Sequence, residues 1–487
     1  MNLYPAQLTQ YTTKMHLLTA LLLPSLAAAT LESCLRSASV PVTTPTTPYN
    51  LRQPYKALAV AAPTTVSQIS SAVLCGVEAG VGVSAKSGGH SYTSQGYGSA
   101  DGQLVINLDR MYAVTVAASG LAKIQTGARL GHVATELYKQ GKRALSHGTC
   151  PAVGVGGHAL HGGHGMVSRK YGLMTDSIRG ATVVLANGTV TYCSAAERPN
   201  LFWSIRGAGS SSVIVAELEF ETFAAPPQVT YFDISLVWDA DKVPQVLLDA
   251  QSFAATMPAE LTMAVTFNND GYYINGAYVG SDANFRSAVQ PLLTKLGVKV
   301  SSSKTVGWLE FIEHYGGVPQ VDITTPNYNE HETFYASSIA TPALTKTAFT
   351  SLAAAVAKSG LKAPRSWFMH MNLHGGATSA ITRPKPNDTA YVHRDKMLLF
   401  QLKDSVPKSQ AYPADGYSLL QGFRESISKN LGSGEWGMYV NYPDSQFSTA
   451  DAPELYWGSN LERLEWIKED YDPNNVFRNK QSIKPAE

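Results

Sequence analysis

Short apolar runs, separated by glycine-rich turns and helical stretches, are the dominant pattern of residues 55–225. Runs rich in β-branched residues at 102–108, 181–186 and 213–220 predict strands. Between them the chain turns at glycines and passes through segments whose apolar residues follow helical spacing. This alternation is typical of an α/β lobe that binds a nucleotide.

Residues 228–435 follow a different pattern, with more aromatic and polar residues in their strand-like segments. Strands are predicted at 231–237, 261–267 and 396–402, and a helix at 348–358. Nearer the C-terminus, apolar residues at helical spacing predict a helix over 456–471 that ends before Asp472 and Pro473. A second lobe, of α+β type, is therefore expected after the first.

Composition and charge narrow the class of protein. A chain of 487 residues, 44% hydrophobic and 15% charged, is long enough to bury sizeable cores in two or three lobes. The formal net charge of +1 creates no long-range field that attracts nucleic acid or an anionic membrane. We therefore expect neither nucleic acid nor a membrane as a partner.

The first 29 residues have the features of a signal peptide. Lys14 precedes an apolar run at 17–26, and three small residues follow, ending at Ala29. The run contains Pro24 and is shorter than the roughly 20 residues that span a bilayer. We predict cleavage after Ala29 and secretion to the extracellular medium. Asn187 and Asn387 lie in Asn-x-Ser/Thr triplets, which are compatible with glycosylation of a secreted product.

The chain has four cysteines, too few for a disulfide scaffold. Cys34 and Cys75 flank the beginning of the mature chain and are candidate disulfide partners. Cys193 follows a predicted strand, where a buried core thiol is expected. Cys150 remains, within a stretch dense in glycine.

Two glycine-rich segments carry the candidate chemistry. They read AKSGGHSY at residues 85–92 and CPAVGVGGHALHGGHGMVSRKY at residues 150–171. Adjacent glycines let backbone N–H groups surround a phosphate, whereas glycine destabilises helix and strand interiors by up to about 1 kcal/mol. A bulky ligand is therefore expected against this backbone.

Two other interpretations of the second segment, a metal site and a site for a nicotinamide cofactor, are disfavoured. His158, His161 and His164 recur at a spacing of three, but no carboxylate is nearby and the intervening glycines weaken a helix. We expect ordinary surface or hydrogen-bonded histidines and no metal. The glycines at 154, 156 and 157 lack the strand, helix and downstream acid of a dinucleotide fingerprint, which disfavours a nicotinamide cofactor.

A family resemblance joins these segments to others. The chain contains SGGHSY at 87–92, SHGTCPAVGVGGHALHGG at 146–163, LFWSIRGAG at 201–209, NYPD at 441–444 and YDPNNVF at 471–477. In these motifs it resembles the berberine-bridge-enzyme-like branch of the vanillyl-alcohol oxidase superfamily of FAD-linked oxidases, nearest to the fungal glucooligosaccharide oxidases. The resemblance covers nearly the whole mature chain.

The resemblance implies FAD attached through two covalent bonds, one to His90 and one to Cys150. It also implies that backbone near the first histidine binds the pyrophosphate and that the second segment lines the cofactor. The residues matched to these roles are Ser87, Gly88, Gly89 and Ser91, and Val153, Gly154 and Gly157. The flavin would carry out the hydride chemistry while the protein supplies orientation and electrostatics.

For the reaction, the resemblance matches Tyr442 to a catalytic base that removes the proton from the anomeric hydroxyl of a sugar and so leads to a lactone. A tyrosine has an ordinary pKa of about 10, so this role requires a neighbour that favours phenolate. Where relatives have an aspartate, this chain has Asn372. An amide positions a hydroxyl but does not become a carboxylate, so the proton relay is expected to differ.

The resemblance also places sugar-contacting residues. Tyr92 and Gln401 match such residues, whereas His370 replaces a glutamine and Thr266 replaces a glutamate. Phe368 and Trp367 are predicted to offer aromatic faces to pyranose rings, as is Tyr92. Because two polar partners differ, the specificity is expected to differ as well, with glucose-, xylose- and acetylglucosamine-ended substrates all open.

The fold expected from the resemblance has two α+β lobes. Residues 30–228 and 436–487 form the FAD-binding domain, and residues 229–435 form the substrate-binding domain. We expect a secreted monomer that reduces molecular oxygen to hydrogen peroxide. Two alternatives remain open at this point: an oxidase of an aromatic alcohol or alkaloid-like metabolite, and a flavin-bearing carbohydrate-binding protein without turnover.

Overall fold

The computed structural model describes residues 28–317, 321–323 and 330–487. The predicted signal peptide, residues 1–29, lies almost wholly outside the described residues. No helix in the described ranges is both long enough and apolar enough to cross a membrane.

Strands and helices alternate through the first lobe, whereas longer strands dominate the second. The strands are β1 Val42–Thr43, β2 Ala59–Ala61, β3 Val83–Lys86, β4 Leu104–Asn107, β5 Val114–Val116, β6 Leu121–Gln125, β7 Arg143–Ala144, β8 Ile178–Val184, β9 Val190–Ser194, β10 Ile214–Glu221, β11 Phe223–Ala224, β12 Val229–Ser235, β13 Leu261–Asn268, β14 Gly271–Tyr278, β15 Ser302–Val306, β16 Thr333–Thr341, β17 Ser366–Leu373 and β18 Leu398–Val406.

The helices are α1 28–37, α2 Val66–Glu78, α3 Leu130–Gly141, α4 Val155–Leu160, α5 Ser168–Tyr171, α6 Pro199–Ala208, α7 Val243–Ala254, α8 Asp282–Leu296, α9 Trp308–Gly316, α10 Lys346–Ala355, α11 Tyr417–Ser428, α12 Asp451–Trp457 and α13 Leu461–Tyr471. Short 3₁₀ turns occupy Gln95–Tyr97, Leu108–Arg110, Met174–Ser177, Ala380–Thr382 and Gly458–Asn460, and a π turn Val356–Gly360 extends α10.

Two larger sheets and a two-stranded pair of β7 and β11 form the first lobe. One has the order β1-β2-β4-β3, in which β4 pairs parallel with both β2 and β3. The other is antiparallel, with the order β5-β6-β10-β8-β9. The first glycine-rich segment begins at the end of β3, and the second segment continues into α4. Both segments therefore belong to this lobe.

The second lobe is one antiparallel sheet of seven strands, β15-β12-β14-β13-β17-β18-β16. Strand β17 alternates: Trp367, Met369, Met371 and Leu373 are buried, whereas Phe368, His370 and Asn372 are only half-buried. The buried set joins a core with residues of α7, α8, α10 and α11. Helices therefore cover one face of the sheet, and the half-buried side chains of β17 lie on the other face.

The chain returns to the first lobe at its C-terminus. Val83 of β3 pairs in a parallel bridge with Phe477, and Val476 and Phe477 join the core beneath β3. Lys468 of α13 forms a fully buried ion pair with Asp472, whose carboxylate also accepts the backbone N–H of Phe477. The predicted α+β fold of two lobes is confirmed.

A disulfide joins Cys34 of α1 to Cys75 of α2, as predicted, and Cys193 is a buried free thiol. Asn187 and Asn387 are both exposed in turns. The helix predicted over 456–471 ends at Tyr471 as expected but begins at Leu461, because Gly458, with φ 46° and ψ −125°, ends α12 and a 3₁₀ turn precedes α13. Val237 lies beyond β12 and is 87% exposed, so the predicted strand 231–237 ends early.

Candidate active site

The two glycine-rich segments meet backbone to backbone. A Cβ atom on Gly88 would lie 2.3 Å from the nitrogen of Gly154, and a Cβ on Gly154 would lie 2.0 Å from the nitrogen of Gly88. The Ser87 hydroxyl donates to the Thr126 carbonyl (2.5 Å) and accepts from the N–H of Gly156 (3.3 Å). Both glycines are therefore required for this approach.

Arg129 fixes the contact between the segments, and the sequence offered no signal for it. Its buried guanidinium donates to the carbonyl of Gly88 (2.9 Å) in the first segment and to the carbonyl of Ala152 in the second. Asp109 lies 3.7 Å from the same guanidinium and 2.7 Å from Lys86 Nζ. A lone arginine at the start of α3 gives no pattern, so only the fold reveals this role.

A cavity of about 300 Å³ opens over this junction. All nine residues predicted to bind the cofactor line it: Ser87, Gly88, Gly89, His90, Ser91, Cys150, Val153, Gly154 and Gly157. A Cβ atom on Gly157 would meet no atom within 4 Å, so at this position the backbone faces open space. Tyr92, Gln401 and Tyr442 also line the cavity.

His90 and Cys150 lie side by side on the cavity wall, with Cys150 Sγ 3.8 Å from His90 Nε2. Burial lowers the pKa of His90 to about 3, with the positive charges of Arg129 and Lys403 acting in the same direction. Burial also raises the pKa of the Cys150 thiol. The cavity therefore presents a neutral imidazole and a protonated thiol next to each other.

These features fit FAD. The exposed glycine backbone suits a phosphate group, and apolar side chains such as Leu130, Leu160 and Val215 line the cavity beside it. The two nucleophilic side chains, His90 and Cys150, are close enough to contact one edge of a single ring system. The residues present thus match the cofactor that the motifs imply.

Tyr442 is held by its backbone between the lobes. Its carbonyl accepts a hydrogen bond from the Ser338 hydroxyl of β16 (3.0 Å). Its ring lies parallel to that of Tyr92, with centroids 6.1 Å apart, and edge-on to Tyr439 at 5.0 Å. Burial, with contributions from Tyr92, Tyr439 and Tyr391, raises the pKa of Tyr442 well above 10. The protein groups around it therefore favour phenol, not the phenolate that a base requires.

Asn372 lies on β17, which is separated from β16 by β18. Its side-chain amide donates to the carbonyl of Leu399 (3.0 Å), and Leu399 belongs to the apolar cluster against which Tyr442 packs. No hydrogen bond between Asn372 and Tyr442 is present among the described residues. The structure thus brings the predicted pair into one neighbourhood without connecting their side chains directly.

The predicted sugar contacts form a row across the sheet. Register places Thr266 of β13 opposite His370 of β17, and His370 opposite Gln401 of β18. The Gln401 amide donates to the hydroxyl of Tyr92 (2.9 Å), whose ring lies parallel to that of Tyr442. The row therefore leads from Thr266 to Tyr442.

Hydrogen bonds indicate which ring nitrogen of His370 carries the proton. The Thr266 hydroxyl donates to Asn275 Oδ1 (2.8 Å) and lies 2.8 Å from His370 Nδ1. Burial lowers the pKa of His370 to about 4, so the ring is neutral at ordinary pH. Since the Thr266 proton points to Asn275, Nδ1 carries the imidazole proton and Nε2 is a hydrogen-bond acceptor.

The prediction for Trp367 is wrong. Its side chain is buried on the helix-covered face of the sheet, and its indole N–H donates to the Gly360 carbonyl (2.9 Å). The two-residue alternation of β17 explains this, since neighbours in a strand face opposite sides. Phe368 lies on the other face, with its ring 4.5 Å from that of His370. Thr266, Phe368, His370 and Asn372 are not among the residues that line the cavity, so they are placed beyond it along the sheet.

The three histidines of the second segment are buried, not at the surface. His161 bonds to the Gly157 carbonyl and the Ser210 hydroxyl, both at 2.8 Å, and His158 Nε2 accepts the N–H of Gly148 (2.9 Å). Within the described ranges no group of three or more His, Cys, Asp or Glu side chains is arranged to hold a metal ion.

Comparison with known families agrees with this site. Residues 57–194 match a family described as FAD binding domain, and residues 438–484 match one described as berberine and berberine like. The first match contains both His90 and Cys150, and the second contains Tyr442.

Individual relatives are similar over almost their whole length. The chain is 54% identical over 463 residues to a chitooligosaccharide oxidase of Gibberella zeae, covering 93% of this chain and 94% of the relative. It is also 54% identical over 463 residues to the FAD-linked oxidoreductase dpmaF of Metarhizium anisopliae, covering 93% and 91%. A solved structure of glucooligosaccharide oxidase from Acremonium strictum, described as having 6-S-cysteinyl, 8α-N1-histidyl FAD, superposes with a TM-score of 0.91 at 39% identity, covering 94% of this chain and 99% of that one.

Proposed function

This chain belongs to the berberine-bridge-enzyme-like family of FAD-linked oxidases, and from that premise we propose that it oxidises the anomeric C1 hydroxyl of an oligosaccharide to a lactone and releases hydrogen peroxide. It is an FAD-dependent oxidoreductase that acts on sugar hydroxyls with oxygen as acceptor. The observation that carries the proposal is the continuous row from Thr266 through His370, Gln401 and Tyr92 to Tyr442.

The cofactor is proposed to be held by two covalent bonds, through His90 and Cys150. Support comes from the 3.8 Å approach of these side chains on the cavity wall and from the solved relative described with histidyl and cysteinyl FAD. When bound, FAD supplies the two-electron acceptor that the sugar itself and the side chains lack. The backbone around Ser87, Gly88, Gly89 and Ser91 would hold its pyrophosphate, and Val153, Gly154 and Gly157 would line it.

The chain's own residues then orient the sugar and handle its proton. Tyr442, at the cavity, is proposed to accept the proton of the anomeric hydroxyl, and Tyr92 to hold the ring beside it through its hydroxyl and its face. Gln401, bonded to Tyr92, presents its amide oxygen as an acceptor for a sugar hydroxyl. Asn372 is proposed to orient groups near Tyr442 without exchanging a proton.

Among oligosaccharides, we favour chito-oligosaccharides as substrates. The neutral His370 offers an acceptor at Nε2, which suits the N–H of an acetamido group, and Phe368 lies beside it for the methyl group. The relative from Gibberella zeae, a chitooligosaccharide oxidase, gives this preference independent support.

The protein is further proposed to be a secreted monomer with glycans at Asn187 and Asn387. The disulfide between Cys34 and Cys75 is of the kind that persists in oxidising compartments, and both asparagines are exposed. Mass measurement before and after enzymatic deglycosylation of protein from a fungal culture supernatant tests both the export and the glycans.

Peroxide release tests the proposed reaction. Purified protein is supplied with chito-, cello-, xylo- and malto-oligosaccharides, each beside its borohydride-reduced alditol, which lacks the anomeric centre. We expect peroxide from intact sugars, most efficiently from the chito series, and none from alditols. Equal rates from sugar and alditol would refute oxidation at C1. A yellow preparation that is inactive on every sugar but active on aromatic alcohols would replace the proposal with that alternative.

A further inference from the structure

Tyr49 lies directly on the imidazole of His90. The two rings are stacked, with centroids 3.6 Å apart and planes 22° from parallel. Tyr49 comes from the irregular segment between β1 and β2, and no motif drew attention to it. A ring stacked this closely leaves the imidazole little freedom to tilt or to swing away from Cys150.

The phenol of Tyr49 is anchored in turn. Its hydroxyl donates to the carboxylate of Glu332, whose other oxygen accepts from Lys403 Nζ at 2.6 Å. The backbones of Tyr49 and Glu332 also pair, since the Glu332 N–H donates to the Tyr49 carbonyl (2.9 Å). Burial and the Glu332 carboxylate raise the pKa of Tyr49, so its hydroxyl remains a donor at every relevant pH.

This anchor crosses between the lobes. Lys403 lies on β18, and Glu332 immediately precedes β16, so both belong to the seven-stranded sheet, whereas His90 belongs to the first lobe. Asn50, next to Tyr49, donates to the Tyr92 carbonyl at 2.6 Å, and Arg52 donates to the Phe334 carbonyl at 2.8 Å. The segment at residues 49–52 therefore fastens His90 to the sheet that carries the predicted sugar contacts.

We propose that Tyr49, anchored by Glu332 and Lys403, is the positioning residue that orients His90 for covalent attachment of the flavin. This inference rests on the doubly attached cofactor of the proposed function. In the attachment, one N–C bond replaces the imidazole N–H and one C–H of the flavin methyl group. The two hydrogens and their electrons reduce one molecule of oxygen to hydrogen peroxide, the same acceptor that the proposed reaction uses.

Orientation matters here because the new bond must form along a nitrogen lone pair. That lone pair lies in the plane of the imidazole, so the ring plane decides where the bond can form. Misplacing a reacting group by about 1 Å costs up to about 10²-fold in rate. Without the stacked phenol, attachment at His90 is expected to be slow and incomplete, whereas attachment at Cys150, which Tyr49 does not stack on, is expected to continue.

The test compares Y49L and Y49F with the wild-type holoprotein. Tryptic peptides that contain His90 and Cys150 are quantified by mass spectrometry with and without attached flavin, and denaturing gels are scanned for flavin fluorescence. Y112L is the matched control, because Tyr112 packs edge-on against His132 at 5.5 Å in the same lobe but does not line the cavity. The readout is the ratio of His90-linked to Cys150-linked peptide within the same folded molecules.

We expect Y49L to lower this ratio by about tenfold or more. Y49F, which keeps the ring but loses its bond to Glu332, is expected to fall between Y49L and the wild type, and Y112L to equal the wild type. A general packing defect would lower both peptides together and leave the ratio unchanged. If Y49L gives no soluble protein, the Y49F ratio decides.

A wild-type ratio in both Tyr49 variants would overturn the positioning role and leave the proposed function intact. Absence of a His90-linked peptide in the wild type itself would refute the doubly attached cofactor, and this inference with it. Peroxide release from sugars is scored separately, so failure of the oxidase proposal is distinguishable from either result.

Discussion

At the scale of single residues, the chemistry depends on how Tyr442 loses its proton. Its neighbours are apolar or are themselves tyrosines, and burial raises its pKa well above 10. Asn372 stands in place of a carboxylate, and among the described residues it makes no hydrogen bond to Tyr442. The base form is therefore scarce at neutral pH and becomes more abundant as the pH rises.

Two outcomes follow for Tyr442. In the wild type, kcat/KM is expected to rise by about tenfold per pH unit between about pH 7 and 10, because only the phenolate accepts a proton and its fraction grows in that proportion. Y442F should lose about 10²-fold in kcat/KM near pH 8 and more at higher pH, because its own profile is flat, while it retains attached flavin. Steady-state kinetics across this pH range measures both effects, and flavin absorbance serves as the control for retained cofactor. A flat wild-type profile would contradict the assignment.

A second prediction at this scale concerns His370, which is proposed to select the sugar. H370A removes the acceptor at Nε2 and should lower kcat/KM for chito-oligosaccharides by about 10- to 100-fold, corresponding to about 1–3 kcal/mol for an unpaired polar partner. H370Q, which still carries an acceptor oxygen, should retain part of the activity. The matched measurement uses cello-oligosaccharides of equal length, on which the effect should be smaller. Equal losses on both series would show that His370 does not read the acetamido group.

The residues that could be predicted from sequence are those within dense motifs. His90, Cys150 and Tyr442 stand in segments whose glycines or repeated motif residues mark them, and all three line one cavity. Tyr49, Arg129 and Glu332 do not stand in such motifs, because each acts through contacts with residues distant along the chain. Tyr49 and Glu332 are 283 positions apart, and a contact of that kind leaves no local pattern.

At the scale of elements, the loop that carries Tyr442 is fixed by Asp444. This fully buried carboxylate accepts hydrogen bonds from Tyr335 and Ser337 of β16, both at 2.7 Å, and pairs with Arg424 of α11. The loop is thereby tied to a strand and a helix of the second lobe. Together with the hydrogen bond from Ser338 to the Tyr442 carbonyl, this carboxylate holds the loop beside the cavity.

D444N is expected to lower the free energy of unfolding by about 3 kcal/mol, because it leaves the Arg424 guanidinium without a paired charge in a buried site. Urea unfolding followed by tryptophan fluorescence measures the change. D451N is the control, since the exposed Asp451 bonds only to nearby Ser448 and its loss should change stability by less than about 0.5 kcal/mol. Similar midpoints for D444N and the wild type would contradict the anchoring role.

The prediction of helices and strands succeeded where the spacing of apolar residues and the length of the segment indicated the same element. It failed where a single residue or the face of a strand decided the outcome. The predicted strand 261–267 is β13, Leu261–Asn268, because its larger apolar residues recur at every second position, which suits a strand covered on one face by helices. Trp367 was placed on the wrong face because aromatic character alone does not say which side of a strand a residue occupies. The helix predicted over 456–471 failed at Gly458, whose backbone angles lie outside the helical region.

At the scale of the whole molecule, the N-terminal helix is attached by the disulfide to α2, which packs beneath the first glycine-rich segment. The double variant C34S/C75S should lose up to about 4 kcal/mol in stability, the chain-entropy value for a loop of this size. The loop closes over a sequence separation of 41 residues. Thermal unfolding with and without reductant measures the loss, and reductant should lower the midpoint of the wild type but not that of the double variant. A midpoint unchanged by the double variant would show that the disulfide is not needed to hold α1.

The two lobes act as one unit, since the glycine-rich segments that line the cavity belong to the first, the predicted contacts Thr266, His370 and Gln401 belong to the second, and Tyr442 belongs to the returning C-terminal segment. The motifs could indicate which residues lie near one another within a lobe, because the residues of one motif are adjacent along the chain. They could not predict the row from Thr266 to Tyr442, which exists only when strands β13, β17 and β18 pair in register.

The central claim is that this protein oxidises the reducing end of an oligosaccharide through its bound flavin, and anaerobic absorbance tests it most directly. The yellow holoprotein is mixed without oxygen with chitotetraose, and separately with the corresponding alditol, while the flavin absorbance is followed. We expect rapid and complete bleaching with the sugar only, and recovery of the absorbance on admitting oxygen, with one peroxide formed per flavin. Binding of the sugar without bleaching would contradict it and would identify a carbohydrate-binding protein that does not turn over.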